Sequence, residues 1–257
     1  PQYSVNSKEI SGSAIVYRTK NIRNKELFMI NYGLYANISS YDQNSLAKIY
    51  TPFINFNFRE NSNLRENKLN SLNARYLKIS NNGDTNITPE YEIFNLKYIS
   101  LKSGVINHKK WFIDYQLSKK FSKISFSYEF RKLFKNNREL NIRLFSGYFI
   151  NNKNINNDYF DFSLDRPTDY LYDYNYYGRS ENNGFFSQQI IMAEGGFKSK
   201  LASSSTNNFI STINLSSTLW KNLLIYVDLG VLNTKTNKSF KMVYDSGVRL
   251  NICLLYT

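Results

Sequence analysis

Apolar and polar residues alternate along most of this chain, and the alternation is clearest between Asn208 and Asn233. In the first half of this stretch Ile213 and Leu215 fall on one side of an extended backbone, and Asn214 falls on the other. The second half repeats the order, with one side formed by Leu223, Ile225, Val227, Leu229 and Val231. Two such runs joined by a short connection predict an antiparallel hairpin with one apolar face and one mixed face. At roughly 9–11 residues, each arm is long enough to cross a bilayer as a tilted strand.

The same alternation recurs along the rest of the sequence. It predicts further strands over Ser4–Arg18, Phe28–Ile38, Ala47–Arg59, Leu69–Ser80, Tyr91–Leu101, Trp111–Ser118, Ile124–Arg131, Leu140–Ile150, Phe185–Lys200 and Phe240–Ile252. Repetition of one hairpin unit predicts an all-β fold, an antiparallel up-and-down transmembrane β-barrel of about 12 strands. Residues 1–257 would form this single domain, either closed or lacking a strand at one end.

In such a barrel the apolar rows face lipid and the mixed rows face the interior. The candidate interior polar residues are Asp114, Glu129, Asn141, Arg143, Asp228 and Arg249. A half-buried soluble sheet shows the same alternation, so a periplasmic or secreted β-sandwich binding module is the alternative. Aromatic residues near strand ends favour the membrane, because interfacial girdles occupy those positions. They are Trp111, Phe121, Phe134, Trp220 and Phe240.

Residues 151–184 exceed an ordinary connection in length, and long connections are usually functional or disordered. Aspartates recur there among tyrosines, at positions 158, 161, 165, 169 and 173. One interpretation is a ligand-contacting or Ca²⁺-bridging loop, because hard cations take clustered carboxylates. Its candidate contact residues are Asp165, Asp169, Asp173, Tyr172 and Tyr176. The other interpretation, which we prefer, is a solvated loop with room for one short strand inside it.

Composition agrees with a barrel and narrows the choice of partners. A mean hydropathy of −0.48 excludes a bundle of apolar spanning helices, whereas a barrel carries many polar interior positions. The net charge of +13 is spread over the whole length, so we expect no nucleic-acid partner. Basic groups at the rims would instead meet the phosphates of outer-membrane lipid and lipopolysaccharide. The expected location is therefore the outer membrane of a Gram-negative bacterium.

The candidate chemistry is sparse. Serine-type nucleophilic catalysis needs a histidine base, and the only histidine, His108, lies in a predicted turn, GVINHKKW, where we expect it to be solvated. A site built from Asp114, Glu129, Asp228 or Glu194 is conceivable, which leaves an outer-membrane barrel hydrolase as a second alternative. We expect no cofactor, metal site or catalytic set in this segment. Cys253, the one cysteine, is read as a small apolar residue.

Three segments carry a resemblance to a known family: YYGRSENNGFFSQQ (176–189), AEGGFKSKL (193–201) and YDSGVRLNI (244–252). They resemble the C-terminal, strand-rich region of gluzincin-type zinc aminopeptidase-like membrane proteins of Gram-negative bacteria. The defining H-E-x-x-H motif is absent, so no zinc ligand or catalytic residue carries over. The resemblance implies a membrane anchor or pore region beside a peptidase domain. The opening PQYSVNSKEI shows no export signal, so either the signal was removed or the chain is an internal piece, and the ending NICLLYT, which stops within a strand-like pattern, favours a piece of a longer chain.

Overall fold

The computed structural model is an all-β protein dominated by one large antiparallel sheet. The structure describes residues 2–4, 9–22, 26–42, 45–59, 66–82, 90–153, 158–165, 168–173, 194–199, 201, 204–220, 223–237 and 239–250. The strands are β1 (Gln2–Ser4), β2 (Glu9–Asn21), β3 (Leu27–Asp42), β4 (Ser45–Arg59), β5 (Glu66–Asn82), β6 (Glu90–Gly104), β7 (Asn107–Ser118), β8 (Phe121–Leu133), β9 (Glu139–Asn152), β10 (Phe162–Ser163), β11 (Ser205–Thr206), β12 (Phe209–Trp220), β13 (Leu223–Asn233) and β14 (Lys241–Leu250). Short 3₁₀ turns occupy Lys135–Asn137 and Asp158–Phe160. Among the described residues, no helix is long and apolar enough to cross a membrane.

Strands that follow each other in the chain are neighbours in the sheet, with one interruption. The order is β1-β2-β3-β4-β5-β6-β7-β8-β9-β12-β13-β14, which makes a twelve-stranded sheet. β9 pairs directly with β12, and the chain between them carries β10 and β11, which pair only with each other. The predicted all-β, antiparallel, up-and-down arrangement is therefore confirmed. Within the described part of the chain, the ladder contains no pairing between β14 and β1 or β2.

In a soluble half-buried sheet the apolar face is covered and the polar face is open to water. In this sheet the apolar face is open and the polar face is covered. On β12 and β13, Leu215 pairs with Val227 on one face, and their exposed fractions are 38% and 42%. One residue earlier on β12 and one later on β13, Asn214 pairs with Asp228 on the other face, and Asp228 is completely buried. The apolar rows are thus open and the polar rows are covered. Buried polar groups require hydrogen-bond partners, and the covering layer supplies them to Asp228 and Asn214.

We call that covering layer the inner layer. It consists of the described residues between β9 and β12, namely 158–165, 168–173, 194–199, 201 and 204–208. The face of the sheet that it contacts is the inner face, and the opposite face is the outer face. One buried cluster joins the inner layer to the sheet, with Phe160, Phe162, Leu164 and Phe197 packed against residues of the inner face.

The expectation of a solvated loop over 151–184 is therefore wrong for its described residues. Phe160, Phe162 and Tyr170 are buried, because the chain folds back onto the sheet instead of extending into solvent. The strand predicted over Phe185–Lys200 is also wrong in its described part, since residues 194–199 form no strand. The remainder of both predictions, residues 154–157, 166–167, 174–193 and 200, lies outside the described residues.

One aromatic position departs from the predicted girdle. Phe134, Trp220 and Phe240 are exposed, and Trp111 is half-buried on the outer face. Phe121 is instead buried, because it begins β8 beneath the inner layer, with its ring 4.8 Å from that of Phe160. Cys253 and the last residues of the predicted strand Phe240–Ile252 lie outside the described residues.

Candidate functional site

The interior between the sheet and the inner layer is the candidate site, and backbone hydrogen bonds within the inner layer define its shape. The amide of Leu164 donates to the carbonyl of Ser204 at 2.6 Å, and the amide of Phe197 donates to the carbonyl of Leu164 at 2.9 Å. The amide of Gly195 donates to the carbonyl of Ser163 at 2.8 Å. Three separate pieces of the connection are therefore held together as a layer, which satisfies backbone groups that would otherwise be buried unpaired.

An aromatic cluster encloses a buried lysine where the inner layer meets β8. Lys123 is 2% exposed, and its Nζ donates to the carbonyl of Phe160 at 2.7 Å. The same Nζ lies 4.4 Å from the ring centroid of Phe162 and 4.8 Å from that of Tyr170, within the range of cation–π attraction. Burial raises the pKa of the Tyr159 phenol, which packs at the edge of this cluster. Aromatic faces and one carbonyl thus replace part of the water that the ammonium group loses.

Glycines on the inner face make room for rings of the inner layer. A Cβ at Gly147 would lie 2.7 Å from Cζ of Phe162, and a Cβ at Gly230 would lie 3.1 Å from the ring of Phe197. The missing side chains let two phenyl rings rest directly on the backbone of β9 and β13. Gly196 adopts φ +73°, a left-handed conformation that glycine accepts without strain.

Charged and amide groups connect the inner layer to β9, β12 and β13. Lys198 Nζ lies 2.8 Å from both carboxylate oxygens of the buried Asp228. Asn214 donates to the same carboxylate at 3.1 Å and to the carbonyl of Gly195 at 3.1 Å. Arg143 donates to Asn214 Oδ1 at 3.2 Å and lies 3.8 Å from Glu129. The inner-face side chains of β9, β12 and β13 therefore have partners in both the sheet and the inner layer.

A second polar group lies on β5, β6 and β7. Arg75 Nη1 donates to Asp173 Oδ1 at 2.7 Å as part of a two-pronged ion pair, the strong form of this contact. Tyr170 Oη donates to Gln116 Oε1 at 2.7 Å. Asn95, which is completely buried, donates to Asp114. The contacts of Arg75 and Gln116 attach residues 170–173 of the inner layer to β5 and β7, several strands away from the contact of Lys198 with β13.

A cavity of about 330 Å³ remains between the inner layer and the inner face of the sheet. Both signs of charge line it, with Lys97 and Arg143 on the sheet and Asp169 and Glu194 on the inner layer. Glu194 Oε2 also accepts the backbone amide of Ser163 at 3.2 Å. The cavity is a polar space of mixed charge, and it has no single sign that would select an anion or a cation.

The structure places the six predicted interior residues as follows. Asp114, Glu129, Asn141, Arg143 and Asp228 lie on the inner face in the contacts given above, and Asn141 donates to Glu139 Oε1 at 3.0 Å. Arg249, on β14, pairs with Leu224 along the ladder and is exposed. Asn214 on β12 therefore joins Arg143 to Asp228 and also donates to Gly195 of the inner layer, whereas Arg249 lies on the edge strand of the sheet.

The predicted loop-contact residues that the structure describes have partners within the chain, and Asp173 among them is exposed. Asp165 Oδ2 accepts the amide of Leu201 at 2.8 Å, and Asp169 Oδ1 accepts the amide of Asp173 at 2.8 Å. Tyr172 is half-buried with φ +54°, and Tyr176 lies outside the described residues. Among the residues that the structure describes, no group of three or more His, Cys, Asp or Glu side chains could hold a metal ion.

His108 is the second residue of β7, whereas the sequence predicted that it lies in a turn. It is half-buried, and its Nδ1 lies 3.3 Å from Ser103 Oγ. Its position differs from the predicted turn, because β7 begins earlier than the alternation indicated, and the side chain remains partly exposed. In the described part of the chain, Asp114 accepts from Asn95 and Gln116, and Glu129 lies beside Arg143, so neither carboxylate is paired with His108.

Several residues of the site were missed at the level of sequence. Lys123, Lys198 and Arg75 gave no local signal, because a lysine or arginine at an alternating polar position resembles any other polar wall residue. Two adjacent glycines such as Gly195 and Gly196 are typical of a bulge or a close backbone approach, and the structure places Gly196 against Asn214 and Arg143.

No protein-family model matches the chain, and no curated protein or solved structure matches it either. The assignment of a function therefore depends on the fold and the interior alone.

Proposed function

We propose that the chain forms a transmembrane β-barrel in the outer membrane of a Gram-negative bacterium, with its interior occupied by the inner layer. Its role is to anchor, or to form the pore region of, a larger protein. The observation that carries the proposal is the exposure of the apolar face. Ile213, Leu215 and Ile225 all lie on the outer face and are open, while the polar rows are covered.

The outer face would be unfavourable in water. Soluble monomers rarely expose a contiguous apolar patch larger than a few hundred Å². Here exposed apolar side chains continue from strand to strand, for example from Leu144 on β9 to its partner Ile213 on β12 and on to Leu229 on β13. In lipid the same side chains need no cover, and a closed or nearly closed ladder satisfies the backbone.

The β-sandwich alternative requires the apolar rows to pack between two sheets. In the described residues the second sheet is only the pair β10 and β11, and it lies on the polar face. The arrangement of faces therefore favours a barrel over a sandwich.

The inner layer favours anchoring over an open channel. It contacts the inner face of the sheet through Lys198, Asp173 and Tyr170, so the interior contains packed protein instead of continuous water. The inner layer enters from the rim at which β9 ends, which we call the insert rim. Longer connections of outer-membrane barrels are extracellular, so we assign the insert rim to the outside.

Single-cysteine accessibility in lipid vesicles tests this proposal. Cys253 is first replaced by serine, and cysteine is then introduced at Leu215 and, for comparison, at Val105 in the turn between β6 and β7. We expect a nitroxide attached at 215 to be relaxed by oxygen, which partitions into lipid, and one at 105 by a water-soluble nickel complex. Heat-modifiable gel migration serves as the folding control. Equal aqueous accessibility at both positions in the folded protein would rule out the membrane.

A further inference from the structure

Three lysines stand side by side on the outer face of β5, β6 and β7. Lys68 pairs with Lys102 across the ladder, and Lys102 pairs with Lys109. We call these three residues the lysine row. Directly opposed like charges in neighbouring strands are destabilising, and these three form a cationic patch that attracts an anion in addition to Glu66, which is paired with Lys102.

The lysine row lies at the end of the strands where β6 joins β7 through Val105 and Ile106, which we call the turn rim. The next row toward the middle of the sheet is Asn70, Ser100, Trp111 and Tyr128, again direct cross-strand partners. The third row is Leu72, Tyr98, Ile113 and Phe126. Charge, then polar and interfacial aromatic groups, then apolar groups follow each other along the strands. This is the order in which a bilayer presents headgroup, interface and hydrocarbon.

The lysine row borders a surface hollow of about 320 Å³. Among the described residues, its lining contains all three lysines together with Trp111 and Tyr128, and no carboxylate. Glu66 lies outside this lining, at 3.1 Å from Lys102. The ring of Trp111 packs 5.2 Å from that of Tyr98, which gives the hollow a rigid aromatic floor toward the third row.

We infer that this hollow binds the phosphate of an anionic glycerophospholipid, whose acyl chains lie along the third row. The inference rests on the proposed function, because only a membrane-embedded outer face presents acyl chains there. The turn rim lies opposite the insert rim, so its lipid belongs to the periplasmic leaflet and not to the lipopolysaccharide leaflet. Lysine ammonium groups bind lipid phosphates by charge-assisted hydrogen bonds, and the aromatic pair fixes the depth of the headgroup.

The test uses the full chain in vesicles of phosphatidylcholine, with and without phosphatidylglycerol. The variant carries Lys68→Gln, Lys102→Gln and Lys109→Gln. The matched control carries Lys78→Gln, Lys119→Gln and Lys153→Gln, which remove the same charge near the insert rim. A third variant replaces the lysine row by arginine. Retained lipid is measured by native mass spectrometry after release from the vesicles.

We expect wild type, the control and the arginine variant to prefer phosphatidylglycerol, and the lysine-row variant to lose that preference by about 10- to 100-fold. Equal preference in the lysine-row variant and the control would overturn the inference. So would a loss specific to lipopolysaccharide in parallel vesicles containing it. Heat-modifiable migration in phosphatidylcholine alone separates the two levels: a wild-type protein that never inserts overturns the proposed function, whereas one that inserts without lipid preference overturns only this site.

Discussion

Lys198 and Asp228 join the inner layer to the wall of the sheet, with Lys198 Nζ at 2.8 Å from both carboxylate oxygens. Asp228 is completely buried, whereas the lysine side chain is 31% exposed. The inner layer thus places a cation beside a carboxylate that has no access to water, where an unpaired charge would be costly.

Replacing Lys198 by methionine is expected to loosen the inner layer. The change leaves the Asp228 carboxylate with amide partners only, at a cost of roughly 2–4 kcal/mol, because one partner of a buried pair is removed. Hydrogen exchange of the amides around residue 197 in the reconstituted protein measures this cost as faster local opening. In an Asp228→Asn background the same Lys198→Met change should cost much less. Equal costs in the two backgrounds would mean that the two side chains are not coupled.

The contact between Gly147 and Phe162 predicts a steric effect. In Gly147→Ala the new Cβ would lie 2.7 Å from Cζ of Phe162, so the ring must move. We expect a loss of about 1–3 kcal/mol from overpacking, seen as faster proteolysis of the connection between β9 and β12. Adding Phe162→Leu should restore part of the protection, since the smaller side chain leaves space. If the double variant is cleaved faster than Gly147→Ala alone, the clash is not the cause.

Two identical substitutions at different depths test the role of the outer face. Val227→Arg places a charge at the middle of β13, and we expect it to destabilise the protein in vesicles by about 2–4 kcal/mol. Val105→Arg places the same charge in a turn, at a residue that is 79% exposed, and there we expect a loss of about 0–1 kcal/mol. Urea unfolding in vesicles gives both values. A small cost at both positions would show that Val227 does not face hydrocarbon.

Tyr170 tests the attachment of the inner layer to β7. Tyr170→Phe removes the donor to Gln116 Oε1, which accepts at 2.7 Å, and leaves that buried oxygen without its phenol partner. The expected loss is about 1–3 kcal/mol, the cost of an unsatisfied buried acceptor. Tyr148→Phe is the matched control, because Tyr148 is exposed on the outer face. Thermal unfolding in detergent compares the two, and an equal effect would assign the loss to a general property of tyrosine.

The sheet was predictable because its signal is local. Alternation with a period of two assigns each residue to a face through backbone geometry alone, so Leu215 and Asn214 separate without knowledge of any distant contact. The same alternation assigned Asp114, Glu129 and Asp228 to the polar face of the sheet. It could not distinguish a polar row that faces water from one that is covered by protein.

The sequence by itself determined most strands of the large sheet and the separation of an apolar from a polar face, because these depend on neighbours one or two positions away. Only the tertiary structure decided that the chain between β9 and β12 lies against the polar face. That decision depends on partners far apart in sequence, such as Lys123 with Phe160 and Lys198 with Asp228, and no period along the chain records them. Folding brings these residues together because a polar wall needs hydrogen-bond partners, and the inner layer provides them.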